Sequence, residues 1–127
     1  MQGNRAGARR VWQLVAGWEP GKNLAEQECW AEACLRTGQA AKVPPALERF
    51  LAENPATPKL LLLLATARAA LGDLEAARIP LREIQRRLRR AGAPETKIGP
   101  EGWRLFDAVV EDDAMKSELA EYFLKGE

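Results

Sequence analysis

The chain has 127 residues, 46% of them hydrophobic and 29% charged, with 19 Lys and Arg against 18 Asp and Glu and a formal net charge of +1. This is the composition of one soluble globular domain, long enough to bury ~65% of its unfolded surface. It contains no histidine, which excludes Ser-His-Asp and Cys-His catalysis, His-ligated zinc and His-based pH switching. The best apolar run, Leu60 to Ala65, is six residues long, far short of the ~20 a membrane-spanning helix needs.

Helix formers dominate and β-branched residues are scarce, so the expected class is all-α. At the N-terminus, residues 4–18 carry an apolar stripe of Val11, Leu14, Val15 and Trp18, which reads as a covering helix closed by Gly17 and Pro20. Arg5, Arg9 and Arg10 precede this stretch as they would in a signal peptide, but Gln13, Gly17 and Glu19 interrupt it. The expected location is the cytoplasm. Cys29 and Cys34 lie five apart on one expected helix, about 140° apart around its axis, which suits two buried, reduced thiols better than a disulfide.

From residue 24 the chain echoes itself. Gly38 and Gly72 are 34 residues apart, and sliding the chain by that interval lays residues 24–57 on 58–91. Ala31 then falls on Ala65, Val43 on Ala77, Leu47 on Leu81, Phe50 on Ile84 and Trp30 on Leu64. A helical hairpin explains the pattern: small residues let two helices approach, glycine makes the turn, and residues three or four apart line the inner face.

The stretch Leu61, Leu64, Ala65, Leu71-Gly72-Asp73, Glu75-Ala76-Ala77, Leu81 and Ile84 resembles a tetratricopeptide hairpin. Trp30-Ala31, Gly38, Val43, Leu47, Phe50 and Pro55 are similar in the first copy, where Pro44-Pro45 is expected to delay the second helix. Two departures stand out: Arg68 occupies the usual place of an aromatic, and Pro80 lies inside the second helix. The resemblance implies a short right-handed solenoid of antiparallel helix pairs with N- and C-terminal capping helices. Beyond it, residues 101–125 carry Trp103, Phe106, Val109, Val110, Met115, Leu119, Tyr122 and Phe123 at helical spacing. They read as a capping helix, or a pair parted near Asp112-Asp113, within a single domain over residues 1–127.

Five consecutive leucines, Leu60 to Leu64, advance about 100° each and so are not expected to share one core. Leu61 and Leu64 are expected inward with Ala65; Leu62, Thr66 and Ala69 are expected toward the concave side, either covered by the C-terminal segment or flooring a groove. Glu28, Glu32 and Leu35, with Arg36 and Lys59 at the edges, would complete that surface. The resemblance implies that it holds an extended peptide or amphipathic helix of a partner protein, as adaptors, assembly factors, chaperones and scaffold subunits do. Glu28 and Glu32 have the wrong charge for a clamp on a C-terminal carboxylate.

Charge is segregated: residues 1–23 sum to +3, 24–57 to −2, 58–91 to +5 and 92–127 to −5. Arg78, Arg82, Arg86 and Arg90 recur every four residues and share one helix face, with Arg87 and Arg89 beside them. That stripe has three readings: a solvated face, pairing with Glu111, Asp112, Asp113, Glu118 and Glu121, or a footprint for nucleic acid or an acidic protein. The absence of interleaved aromatics and the near-neutral charge weigh against nucleic acid. An enzyme is not expected. Glu26, Glu28 and Glu32, or Glu111, Asp112 and Asp113, read as solvated surface rather than a metal site, and Gly21-Lys22 lacks the rest of a phosphate-binding loop. No cofactor or metal is expected. A homo-oligomer joined through the leucine-rich face is a further alternative, since two repeats are fewer than the three or so a solenoid usually requires.

Overall fold

The computed structural model describes residues 13–15, 17, 23–92 and 98–123. Within them the chain is all-α: α1 (Leu24–Arg36), α2 (Val43–Glu53), α3 (Pro58–Ala70), α4 (Leu74–Arg90), α5 (Pro100–Val109) and α6 (Asp113–Leu119), with 3-10 turns at Ala40–Lys42 and Ala120–Tyr122. Gln13, Leu14 and Val15 of the expected covering helix are helical, with Val15 buried and Leu14 exposed. Val11, Trp18 and the rest of that stretch lie outside the described residues.

The 34-residue interval recurs in the backbone. Asn23 Oδ1 accepts the Glu26 N–H at 2.9 Å at the start of α1, and Thr57 Oγ1 accepts the Leu60 N–H at 3.2 Å at the start of α3. Both caps satisfy donors that a helix leaves open in its first turn. Both helices run 13 residues and end at a left-handed glycine, Gly38 with φ 75° and Gly72 with φ 86°. The same closing bond follows each: Gln39 N–H to the Cys34 carbonyl at 2.7 Å, and Asp73 N–H to the Arg68 carbonyl at 3.0 Å. Ala31 and Ala65, Val43 and Ala77, and Leu47 and Leu81 are all fully buried.

The second helices differ because of proline. Pro44 and Pro45 have no N–H to donate to the carbonyls of Ala40 and Ala41, so that turn tightens to 3-10 geometry and α2 starts only at Val43. Its counterpart α4 starts at once, with Asp73 accepting the Ala76 N–H at 3.1 Å. Inside α4, Pro80 removes the donor that the Ala76 carbonyl would otherwise receive. Arg68 replaces it. One guanidinium nitrogen donates to the Ala76 carbonyl at 3.1 Å and another to Glu48 Oε1 of α2 at 2.9 Å. The two departures from the tetratricopeptide pattern, Arg68 and Pro80, are therefore one device that ties α2, α3 and α4 together.

Contrary to the expectation that five leucines could not share a core, Leu60, Leu61, Leu62, Leu63 and Leu64 are all buried, at 0 to 9% exposure. The reason is that α3 is surrounded: α1, α2, α4 and α5 all pack against it. Of the two alternatives for the C-terminal segment, the structure has the pair: it divides at Asp112, whose Oδ1 accepts the Ala114 and Met115 N–H groups at 2.9 and 3.2 Å and so starts α6. Its end folds back on its beginning. Ile98 N–H donates to the Tyr122 carbonyl at 2.9 Å and Gly99 N–H to that of Phe123 at 2.8 Å. Trp103, Phe106 and Phe123 stack within this closure, with Phe106 and Phe123 ring centroids 4.8 Å apart. Gly102 allows α5 to lie close to α3, since a β-carbon there would stand 2.6 Å from Ile98 Cγ2 and 3.4 Å from Leu62 Cδ2.

Arg68→Ala is expected to cost about 1–3 kcal/mol in urea unfolding, because it strands a carbonyl that Pro80 has already deprived of its helical donor. In a Pro80→Ala background, where the helical N–H returns, the same substitution is expected to cost about 1 kcal/mol less. Additive effects would show that Arg68 does not act for the missing donor.

Candidate interaction groove

The residues expected on the concave face divide into two groups. Leu62, Thr66 and Ala69 are 9%, 0% and 1% exposed, and Leu35 is 3% exposed. Thr66 is sealed in the interior, whereas the edge of Leu62 lines one groove and those of Leu35 and Ala69 line a hollow at the turn end of α1 and α3. Leu62 and Ala69 lie against α5, which runs in the same direction as α3: Gly102 lies on Leu62 near its start, and Val109 shares a hollow with Ala69 near its end. The Thr66 hydroxyl donates to the Leu62 carbonyl at 2.8 Å, so its polar group is satisfied within α3. Glu28 is half-buried and accepts from the Thr57 hydroxyl at 3.3 Å.

Glu32, Arg36 and Lys59 remain together at the edge of a smaller opening. Glu32 accepts from Arg36 Nε at 2.9 Å and from Lys59 Nζ at 3.1 Å, joining the end of α1 to the start of α3. With the edge of Leu62 they line one side of a groove of about 480 Å³. The opposite side comes from Ile84 of α4, which the sequence placed in the hairpin core, and from residues it did not single out: Leu88 of α4, Ile98, and Glu101, Arg104 and Leu105 of α5. The floor is aliphatic, and charges of both signs stand at its rim. Leu88 was accessible to sequence reasoning, because it continues the apolar spacing of Leu81 and Ile84 along α4. Ile98, Arg104 and Leu105 were not, since only the packing of α5 along α3 brings them there.

Burial pushes the Glu32 carboxyl up, but the hydrogen bonds and charges of Arg36 and Lys59 outweigh it and hold the group below its ordinary value of 4.5. Burial pushes the Cys34 thiol up to about 11, with Lys42 partly opposing it. The expectation of two buried thiols holds for Cys34 alone: Cys29 is exposed, on the outer side of α1.

The arginine stripe is divided as well. Arg78 is engaged by Glu75 at 2.9 Å and by Glu118 of α6 at 3.0 Å, and Arg86 by Glu83 at 3.0 Å. Arg87 donates to the Ala56 carbonyl. Arg82 and Arg90 are exposed and form no ion pair among the described residues. The carboxylates Glu111, Asp112 and Asp113 lie at the α5–α6 junction, and Glu118 of α6 pairs with the stripe through Arg78.

Among the described residues no group of three or more Cys, Asp or Glu side chains is placed to hold a metal ion, and no helix is long and apolar enough to cross a membrane. Comparison with protein-family models, with characterised proteins and with solved structures finds no match to this chain.

Two measurements test these environments. A carboxyl held below its ordinary value stabilises the fold at pH above 4.5, and that stabilisation is lost as pH falls through the depressed value. Glu32→Gln is thus expected to cost about 1 kcal/mol at neutral pH, with the gap to the native protein closing in acid. A thiol reagent is expected to label Cys29 in the folded protein and Cys34 only on unfolding; equal rates at both would place Cys34 in solvent.

Proposed function

We propose that this chain is a non-enzymatic, cytoplasmic protein-interaction module of tetratricopeptide-like build, which holds an apolar segment of a partner protein in the groove between α1, α3, α4 and α5. The solenoid reading rests on the repeated caps and glycine turns of α1 and α3, each 34 residues apart, together with the matched burial of their partners. The observation that carries the binding reading is a groove in which half-buried Leu88 and Ile98 lie over buried Ile84 and Leu105, bordered by Arg36, Lys59 and Arg104 on one charge and Glu32 and Glu101 on the other. Such a groove takes one or two aliphatic side chains, and a rim of both signs orients the segment that carries them.

The site proposed here keeps Glu32, Arg36, Lys59 and Leu62 of the expected surface and leaves out Thr66 and Ala69, which are buried. An adaptor of this kind presents a small, preformed pocket rather than a long channel. Charged substitution of Thr66 would place a charge in the interior and unfold the chain, so it does not test binding.

Leu88 is half-buried and serves as the probe. A displayed random-peptide library selected against the native protein is expected to enrich peptides with an aliphatic anchor flanked by charge. Leu88→Glu should weaken them at least about tenfold while the thermal melt stays cooperative. Peptides that bind native and Leu88→Glu proteins equally would remove the groove as the site.

A further inference from the structure

Three helices bring their C-terminal ends to one hollow of about 540 Å³, to which α1 contributes Leu35, α3 contributes Ala70 and α5 contributes Val109. Each such end carries about half an elementary negative charge, on carbonyls that no further turn of helix satisfies. A cation in the last turn ordinarily answers that charge, and here none faces the hollow. The last turn of α5 has no basic residue, Arg68 of α3 is turned to Glu48 and the Ala76 carbonyl, and Arg36 of α1 is held by Glu32 at 2.9 Å. Lys42 follows in the next turn but does not line the hollow.

The edge adds charge of the same sign. Asp112 spends one oxygen on capping α6, whereas Glu111 is exposed and forms no ion pair among the described residues. Glu111 also borders a smaller adjoining opening of about 230 Å³, beside Arg36. The floor is built from small side chains, Ala40, Ala41 and Ala69, and a β-carbon at Gly38 or Gly72 would meet nothing within 4 Å. A large side chain from outside therefore has room, and it would cover Leu71, which is 51% exposed.

We propose that this hollow is a second docking site, for a partner segment in which an arginine adjoins an apolar side chain. The apolar side chain rests on the alanine floor. The arginine faces Glu111 and the helix ends, where its planar fork of donors reaches a carboxylate and a carbonyl at once, as the compact ammonium of lysine does less well. The site is independent of the groove, since the two share no lining residue. A nucleic acid is repelled by the acidic edge, and the leucine run offers a second copy no face, because all five leucines are buried within one chain.

The probe is a displayed random-peptide library selected against the native protein, with the recovered peptides sorted by variant. Peptides weakened by Leu88→Glu belong to the groove, and peptides weakened by Glu111→Gln belong to the hollow. The second class is expected to carry arginine next to an aliphatic or aromatic residue. As synthetic peptides they should lose at least about fivefold in affinity on Glu111→Gln, on Ala41→Leu, which fills the floor without altering charge, and on replacement of their arginine by citrulline. Leu88→Glu should leave them unchanged. Glu111 and Ala41 are exposed, so both variants are expected to keep the native melt. The proposal fails if no recovered peptide depends on Glu111, if those that do lack arginine, or if Ala41→Leu binds them as well as the native protein. Spermine bound in place of peptides with the same dependence on Glu111 would make the hollow a small-polycation site. Self-association in sedimentation velocity that Glu111→Gln abolishes would assign it to a second copy. Either result overturns the partner segment.

Discussion

Leu60, Leu61, Leu62, Leu63 and Leu64 step around the helix axis by about 100° each, so α3 has no polar side to turn to water. A helix of this kind is stable only when it is enclosed, and the rest of the chain is disposed to enclose it. α1 and α2 lie on it from the first hairpin, α4 returns along it as its own partner, and α5 covers what is left. Burial of a leucine contributes about 1.5–3 kcal/mol, which makes this run the largest local contribution to the core. The C-terminal segment is therefore part of the fold rather than an appendage.

Enclosure of α3 decides where a partner is able to bind. A tetratricopeptide hairpin would leave Leu62 and its neighbours open on the concave side, whereas here α5 lies along them, brought close by the absence of a side chain at Gly102. What remains open is the margin where α5 parts from α1 and α4. There aliphatic side chains surface between Glu32, Arg36 and Lys59 on one bank and Glu101 and Arg104 on the other. The same logic leaves Ile79 and Leu71 outside the core, where both are exposed among the described residues.

Arginine does three different jobs in this small protein, and position separates them. Arg68 bonds the carbonyl that Pro80 orphans, Arg78 joins α4 to α6 through Glu118, and Arg82 stands in solvent. Periodicity assigns Arg78 and Arg82 to one face and treats them alike. Only the approach of α6 distinguishes them, because the interaction of a guanidinium depends on which carboxylate or carbonyl lies within reach.

Local chemistry was legible in the residues. Gly38 and Gly72 as turns, the delay at Pro44-Pro45 and the break at Asp112 all follow from which backbone donors and acceptors a short stretch of chain is able to satisfy, and the 34-residue interval links the two glycines; the caps at Asn23 and Thr57 have the same spacing but were seen only in the structure. Those features act over one turn of helix, so the sequence by itself determined the all-α class and the places where the chain turns between residues 24 and 91. Leu62 could have floored a groove or been sealed, and nothing within one turn of it distinguishes the two. The groove of Leu88 and Leu105, the division between Cys29 and Cys34, and the pairing of Arg68 with Pro80's orphaned carbonyl were decided by the tertiary structure alone. Each depends on contacts between residues distant in the chain, and such contacts are set by how all the apolar surface is buried at once.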